Sequence, residues 1–458
     1  MEDLKPMLFT CLKKYSKEQF IKDLIAGIIV AIIALPLSIA LALASGVGPE
    51  RGIYTAVIAG FVISFLGGSQ VQIAGPTAAF ATIVAGIVAD QGMDGLAVAT
   101  ILAGIILILM GFCRLGSLIK FIPYTITTGF TAGIAVTIAI GQLKDFCGVT
   151  IPVGMPTIET MEKLEGFLAG IGTLNWHAVF VGAVCLAILI FMPKVKMLAK
   201  IPPSLAAVAV GILMVKLMPI QVNTIGDLYT ISSSLPSFHL PKLSLEVIQK
   251  ALPNAFTIAI LAAIESLLSC VVADGMINGN HRSNMELAAQ GAGNVASALF
   301  GGIPATGAIA RTAANIKNGG RTPVAGMVHA VVLFLVLLVL MPYAGWIPMP
   351  TIAAILFIVA YNMCQWRPFV RLVKTAPKSD IAVLVITFML TVVFDLVVAI
   401  EVGMVLACLL VCVTGVIQMR FLMRFAMQSV RVCAIFHHQS VYARLQVHCF
   451  LVLQIKLV

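Results

Sequence analysis

From Asp23 onward most of the chain is written in apolar runs of about fifteen to twenty residues parted by polar turns, and that layout leaves few folds open. A run of this kind in lipid has no water to pair its backbone, so every N–H and C=O must be satisfied inside the protein, which selects helices. Hydrophobic residues make up 60% of the 458 and charged residues only 10%, and the mean hydropathy is +1.07. Water-soluble domains balance these classes differently. The expectation is an all-α polytopic membrane protein.

Counting the apolar stretches gives about fourteen segments of spanning or half-spanning length. They fall near 24–44, 52–67, 70–89, 96–112, 118–140, 176–192, 201–218, 254–272, 285–300, 303–317, 323–342, 350–364, 380–395 and 396–413. An even number leaves both ends on one side. Lys5, Lys13, Lys14, Lys17 and Lys22 precede the first run, and no small-residue cleavage site follows it, so that run stays as a span. The side of those lysines also receives Arg114, Lys194, Arg282, Arg321, Arg371 and Lys374, whereas the cations of the two long loops opposite are mixed with acids. The positive-inside bias therefore places both termini in the cytoplasm, with the plasma (inner) membrane as the expected location. It also accounts for the net charge of +10 without a nucleic-acid partner. The ten cysteines stand singly and without ligand spacing, so neither a metal nor another cofactor is expected.

The organisation read from this pattern is a cytoplasmic segment 1–22, a first repeat 23–218, an extracytoplasmic linker 219–253, a second repeat 254–413 and a short tail 414–458. Seven spans per half is odd, so two copies must be inverted relative to each other, as in transporter repeats. Sliding one half on the other pairs Pro76 with Pro304, an offset of 304 − 76 = 228, which sets Leu37 against Glu265.

Two segments interrupt the apolar pattern: Gly75-Pro76-Thr77-Ala78-Ala79 and Gly302-Ile303-Pro304-Ala305-Thr306-Gly307. Glycine lets the backbone bend, and proline at a first helical turn loses only an N–H that had no partner. Both are read as N-termini of half-helices whose unpaired N–H groups and partial positive charge converge on an anion. Each is preceded by residues that cross part of the bilayer without being helical, 70–73 and 300–303, which must face each other or a wet cavity.

Thr77 and Thr306 sit at these first turns, where a hydroxyl either caps backbone N–H groups or binds the anion. Arg311, read as two turns into the second half-helix, either supplies positive potential to a cavity or forms a structural ion pair. Glu265, in Ile264-Glu265-Ser266-Leu267-Leu268-Ser269, is an acid inside the eighth span. It is the candidate coupling residue, with Ser269 beside it; the alternative is a packing role against Arg311 or the serines. Asp274, Asn278, Arg282, Asn284, Glu286 and Asn294 read as a network stabilising the turn between spans eight and nine. No phosphate-binding loop, His-Glu-x-x-His or nucleophile elbow is present, so no enzyme is expected.

Taken together, Asp23-Leu24-Ile25-Ala26-Gly27 with Leu35-Pro36-Leu37-Ser38, then Gly75-Pro76-Thr77, Ile264-Glu265-Ser266, and Gly301-Gly302-Ile303-Pro304 through Arg311-Thr312, resemble the SulP sulfate-permease family, also called solute carrier family 26. The resemblance covers roughly 20–410. It implies a fourteen-span, seven-plus-seven inverted repeat with core and gate domains that moves oxyanions or halide by alternating access. It implies an anion between spans one, three, eight and ten, at positions matching Leu37, Leu41, Thr77, Ala78, Ala310 and Arg311. Glu265 matches the acidic position linked to cation coupling, so a proton or sodium ion is the expected partner, the glutamate leaning toward the proton. Sulfate is the expected anion, with bicarbonate, chloride or dicarboxylate, or a passive anion channel, as alternatives. Many relatives have glutamine where this chain has Leu37. Family members usually continue into a soluble STAS domain and often form homodimers. Here 419–458 resembles no part of that domain, and the expectation is a truncated or frame-shifted end from near Val411.

Overall fold

The structure is a computed structural model, and it describes residues 4–116, 124–152, 154–155, 159–195, 202–231, 234–241 and 244–393. The fourteenth span read over 396–413 and the tail 414–458 lie outside the described residues.

A short helix α1 (Met7–Cys11) leads into α2 (Lys17–Ala44), which starts where Ser16 Oγ accepts a hydrogen bond from the Gln19 N–H at 3.1 Å. Pro36 lies inside α2 and removes one donor from its ladder. Helix α3 (Pro49–Leu66) begins on a proline and stops at Gly67. The chain then runs extended through β1 (Ala74–Gly75) to a 3-10 turn, Ala78–Phe80, that opens α4 (Ala81–Phe112). Gly92, at φ 69°, divides α4 into the half-helix and the span expected from the apolar pattern. Next come α5 (Tyr124–Cys147), the amphipathic α6 (Thr160–Ala169), α7 (Trp176–Phe191), α8 (Pro203–Leu217) and a single turn, α9 (Ile225–Leu228).

The second half replays this order. Helix α10 (Leu245–Ile277) again carries an internal proline, Pro253. It begins inside the stretch 219–253 because Ser244 Oγ caps the Val247 N–H at 3.3 Å, a polar start that no apolar count registers. Helix α11 (Ser283–Leu299), β2 (Thr306–Gly307), the half-helix α12 (Ile309–Lys317), α13 (Val324–Ala344), α14 (Met349–Cys364), the amphipathic α15 (Trp366–Thr375) and α16 (Lys378–Val393) follow. Eight helical stretches among the described residues are long and apolar enough to cross a membrane, and two shorter apolar helices, Pro203–Leu217 and Asp380–Val393, join them.

The expected offset of 228 holds at the starts of α2 and α10, 245 − 17 = 228, but not beyond them. The ends of α2 and α10 give 277 − 44 = 233, and the strands give 307 − 75 = 232. Pro76 therefore stands opposite Ala308, and Leu37 opposite Ser269–Cys270, one turn beyond Glu265. The prolines misled because both lie in the extended crossings, two and five residues before helix begins, and not in the first helical turns. Strands β1 and β2 pair antiparallel, Ala74 with Gly307 and Gly75 with Thr306. Each residue thus meets the counterpart of its neighbour, as an inverted repeat requires.

Packing sorts the helices into two bundles. One joins α2, α3 and α4 with α10 to α13; the other joins α5 to α8 with α14 to α16, and α2 also touches α8 and α14. The first bundle closes through glycines. A Cβ on Gly104 would strike the Gly291 carbonyl, and one on Gly291 would strike the Gly104 carbonyl and Ile108. Close approach of helix backbones through small residues is the main source of association inside lipid.

Gly291→Leu is expected to lower the melting temperature of the detergent-purified protein, because overpacking costs about 1–3 kcal/mol. Gly86→Ala, where a Cβ meets open space, is expected to leave it unchanged; equal melting of both variants would contradict this packing.

Candidate anion site

Two extended crossings inside a membrane protein expose backbone groups that must find partners. The strands satisfy only part of them, and polar side chains of the first bundle supply the rest. On the β2 side, Asn294 accepts from the Ala305 N–H at 2.8 Å and donates to the Ala305 carbonyl at 2.9 Å. Thr55 Oγ1 accepts from the Ile303 N–H at 2.7 Å, and Ser297 Oγ donates to the Ile303 carbonyl at 2.8 Å. On the β1 side, the buried Glu286 carboxylate accepts from the Gly68 and Ser69 N–H groups at 2.9 and 3.1 Å and from Gln72 Nε2 at 3.0 Å. Thr312 Oγ1 accepts from the Ile73 N–H at 3.1 Å, and Asn315 Nδ2 donates to the Val71 carbonyl at 2.9 Å.

The network expected at the turn between α10 and α11 therefore divides. Asp274 does hold the turn, accepting from the His281 N–H at 2.8 Å, and Asn278 takes the left-handed conformation that ends α10. Glu286 and Asn294 instead reach across to the crossings. Their letters are polar in an apolar run, but which strand they serve is visible only after folding. The far end of α12 is tied down by Asp23, which accepts from Thr322 Oγ1 at 2.6 Å, the Arg321 N–H at 2.9 Å and Tyr15 Oη at 3.0 Å. Burial and that carboxylate push the Tyr15 hydroxyl up to about 12.

Helix α4 leaves the strand pair in one direction through its 3-10 turn and α12 leaves it in the other, so the two N-termini meet at the ladder. The first-turn N–H groups of Ala78, Ala79, Ile309 and Ala310 have no acceptor among the described residues. Thr77 is the N-cap, yet its side chain does not cap: Oγ1 donates to Glu265 Oε2 at 2.9 Å. Thr306 Oγ1 is fully buried against Ser266 Oγ at 3.1 Å, and that serine accepts from the Gly307 N–H at 3.1 Å. Ser269 is buried on α10 one turn beyond Glu265, and its hydroxyl has no partner among the described residues.

Arg311 stands in the first turn of α12 and not two turns in, because helix begins only at Ile309. Its Nη2 donates to the Pro76 carbonyl at 3.2 Å and to Ser38 Oγ at 3.3 Å, and Nη1 lies where a side chain on Gly75 would be. The guanidinium thus occupies space that only glycine leaves free. Arg311 forms no ion pair with Glu265 among the described residues. Leu41 and Ala78 share one apolar cluster, against which Leu37 packs. Leu37, Thr77 and Glu265 are partly open to solvent and Ala310 is exposed, while Ser38, Leu41, Ala78, Thr306 and Arg311 are buried around them. All nine positions singled out in the sequence lie on the four elements α2, α10, the start of α4 and the β2–α12 segment. Ser38, Ser266 and the space left by Gly75 were missed; a lone serine in an apolar run carries no signal of its direction.

The chain is similar to known proteins. Residues 20–387 match the profile of the sulfate permease family. "Putative sulfate transporter YvdB" of Bacillus subtilis is 44% identical over 401 residues, covering 86% of this chain and 73% of that protein. Bicarbonate transporter BicA of Picosynechococcus sp. is 34% identical over 391 residues, covering 83% and 68%. The solved transmembrane domain of a cyanobacterial BicA superposes with a TM-score of 0.75 at 31% identity, over 84% of this chain and 98% of that one. With 44% identity to one relative and a profile match over most of its length, the chain is an integral, multi-pass membrane protein that belongs to the sulfate permease family.

Proposed function

We propose that this protein carries a small inorganic anion, sulfate in the first place, across the membrane by alternating access. The observation that carries the reading is the convergence of two helix N-termini, with free first-turn N–H groups, on a partly open position between the bundles. Their partial positive charges add to that of Arg311 and attract an anion without requiring its full dehydration by side chains. Leu37, Leu41, Thr77, Ala78, Thr306, Ala310 and Arg311 form the binding region in this reading, and the first bundle shifts against the second. Glu265 and Ser269 form the coupling pair, Glu265 taking up a proton, or answering to sodium, while hydrogen-bonded to Thr77. Both termini face the cytoplasm of the plasma membrane, as the lysine and arginine bias suggests. The likeness to YvdB favours sulfate, and the likeness to BicA supports bicarbonate as the second reading.

Radiolabelled sulfate uptake into proteoliposomes is expected to saturate and to rise when an inward proton gradient is imposed; absence of sulfate uptake together with saturable uptake of labelled bicarbonate would select the second reading, and ohmic currents would point to a pore. Glu265→Gln keeps an acceptor for Thr77 but cannot exchange a proton. It is expected to abolish gradient-driven uptake and to spare counterflow; an unchanged pH dependence would remove Glu265 from coupling. Arg311→Ala is expected to weaken anion binding roughly ten- to a hundredfold, the value of a charge-assisted contact worth about 1.5–3 kcal/mol, as read from the KM for uptake.

A further inference from the structure

Beside the strand pair, on the side of α13, six buried polar atoms have no partner among the described residues: Nε and Nη1 of Arg311, Oδ1 of Asn315, both ring nitrogens of His329 and Oγ of Ser64. Their helices bring them together. Arg311 and Asn315 are one turn apart on α12, and Gly326 and His329 are one turn apart on α13. A Cβ on Gly326 would strike Ser64 Oγ and come within 3.5 Å of the Gln72 carbonyl, while Asn315 holds the carbonyl of Val71 next to it. Ser64, Asn315 and the Gly326 turn therefore gather at 71–72.

One turn on, the Arg311 guanidinium lies against Gly75, with the Ala56 backbone beside it. Leu333, four residues past His329, packs on Ala56, Ala31 and Ala34. The imidazole, one turn after Gly326 and one turn before Leu333, sits between these two levels and is only 1% exposed. Buried polar atoms gathered without partners among the described residues are the setting in which an internal water makes its bonds. Guanidinium offers donors only, and a neutral imidazole has one lone-pair nitrogen, so the pair is complementary through a shared water.

We propose that Arg311, Asn315, His329 and Ser64 enclose a buried water site, and that His329 is a positioning residue whose neutral ring, through that water, accepts from Arg311 and sets the plane of its guanidinium. Ser38 and Pro76 hold the same group at Nη2. The proposal rests on the paired helix ends being the anion site. It gives a membrane-buried histidine a task that neither the anion nor the coupling group performs.

The test uses the full chain in proteoliposomes, with initial rates of radiolabelled sulfate uptake, or of bicarbonate if sulfate is not carried. His329→Leu is expected to raise KM about tenfold at little changed maximal rate, as when one contact to a charged group is lost. His329→Gln, which keeps an acceptor, recovers most of that loss. In an Arg311→Ala background His329→Leu adds nothing further, since the two residues act as one unit. A wild-type KM for His329→Leu, or effects of the two substitutions that simply add, overturns the proposal. A wild-type KM for Arg311→Ala overturns the anion-site reading instead. If His329→Leu does not fold, a cryo-EM map of the wild-type protein that shows ordered water decides: a bridging water supports the proposal and dry contact overturns it.

Discussion

Everything at the centre of this protein depends on a ladder of two residue pairs, Ala74 with Gly307 and Gly75 with Thr306. A strand pair this short has no stability of its own and could not exist facing lipid. It persists because the helices around it finish its hydrogen bonding: Asn294 imitates a neighbouring strand for Ala305, Glu286 gathers the N–H groups of Gly68 and Ser69, and Thr55, Ser297, Thr312 and Asn315 take single groups. The polar residues of the first bundle, costly in a membrane, are repaid at this one place. Removing one would leave a buried backbone group unpaired, so the network holds the crossings in a single geometry.

That geometry is what the proposed anion site rests on. Because the two chains cross antiparallel, the helices that follow start at the same point and leave in opposite directions, with free N–H groups at both starts. Neither start carries a side-chain cap: Thr77, the N-cap before Ala78, is turned to Glu265, whereas the N-cap of α12 is Ala308 and Thr306 lies earlier, in β2, against Ser266. The one hydroxyl placed to quench a helix end is thus engaged elsewhere, and the first-turn N–H groups of both ends have no acceptor among the described residues. Glu265 accepts from Thr77 at one of those ends. The second bundle meets this surface mainly through α2, which leaves Leu37 and Ala310 partly open between the two.

The register of the repeat shows where reading letters reaches its limit. Two prolines in matching motifs suggested an offset of 228, whereas the helix ends and strands give 232 to 233. Proline marks a place where a helix cannot continue, and that is equally true of an extended crossing and of a first turn. The same ambiguity moved Arg311 from a second turn to a first one. Glu286 was read as part of a network at a turn, but the backbone N–H groups it accepts from lie more than two hundred residues away.

By itself the sequence determined the medium, the helical class, the presence of two broken segments and the residue types gathered around them. Those follow from apolar run length, from glycine and proline in unusual places, and from charges too costly to bury without a use. Tertiary structure alone decided which backbone groups the polar side chains complete, which hydroxyls are engaged, and that the guanidinium of Arg311 fills the space Gly75 leaves open. These are relations across the fold, and hydrogen bonding is directional, so no local pattern of residues specifies them.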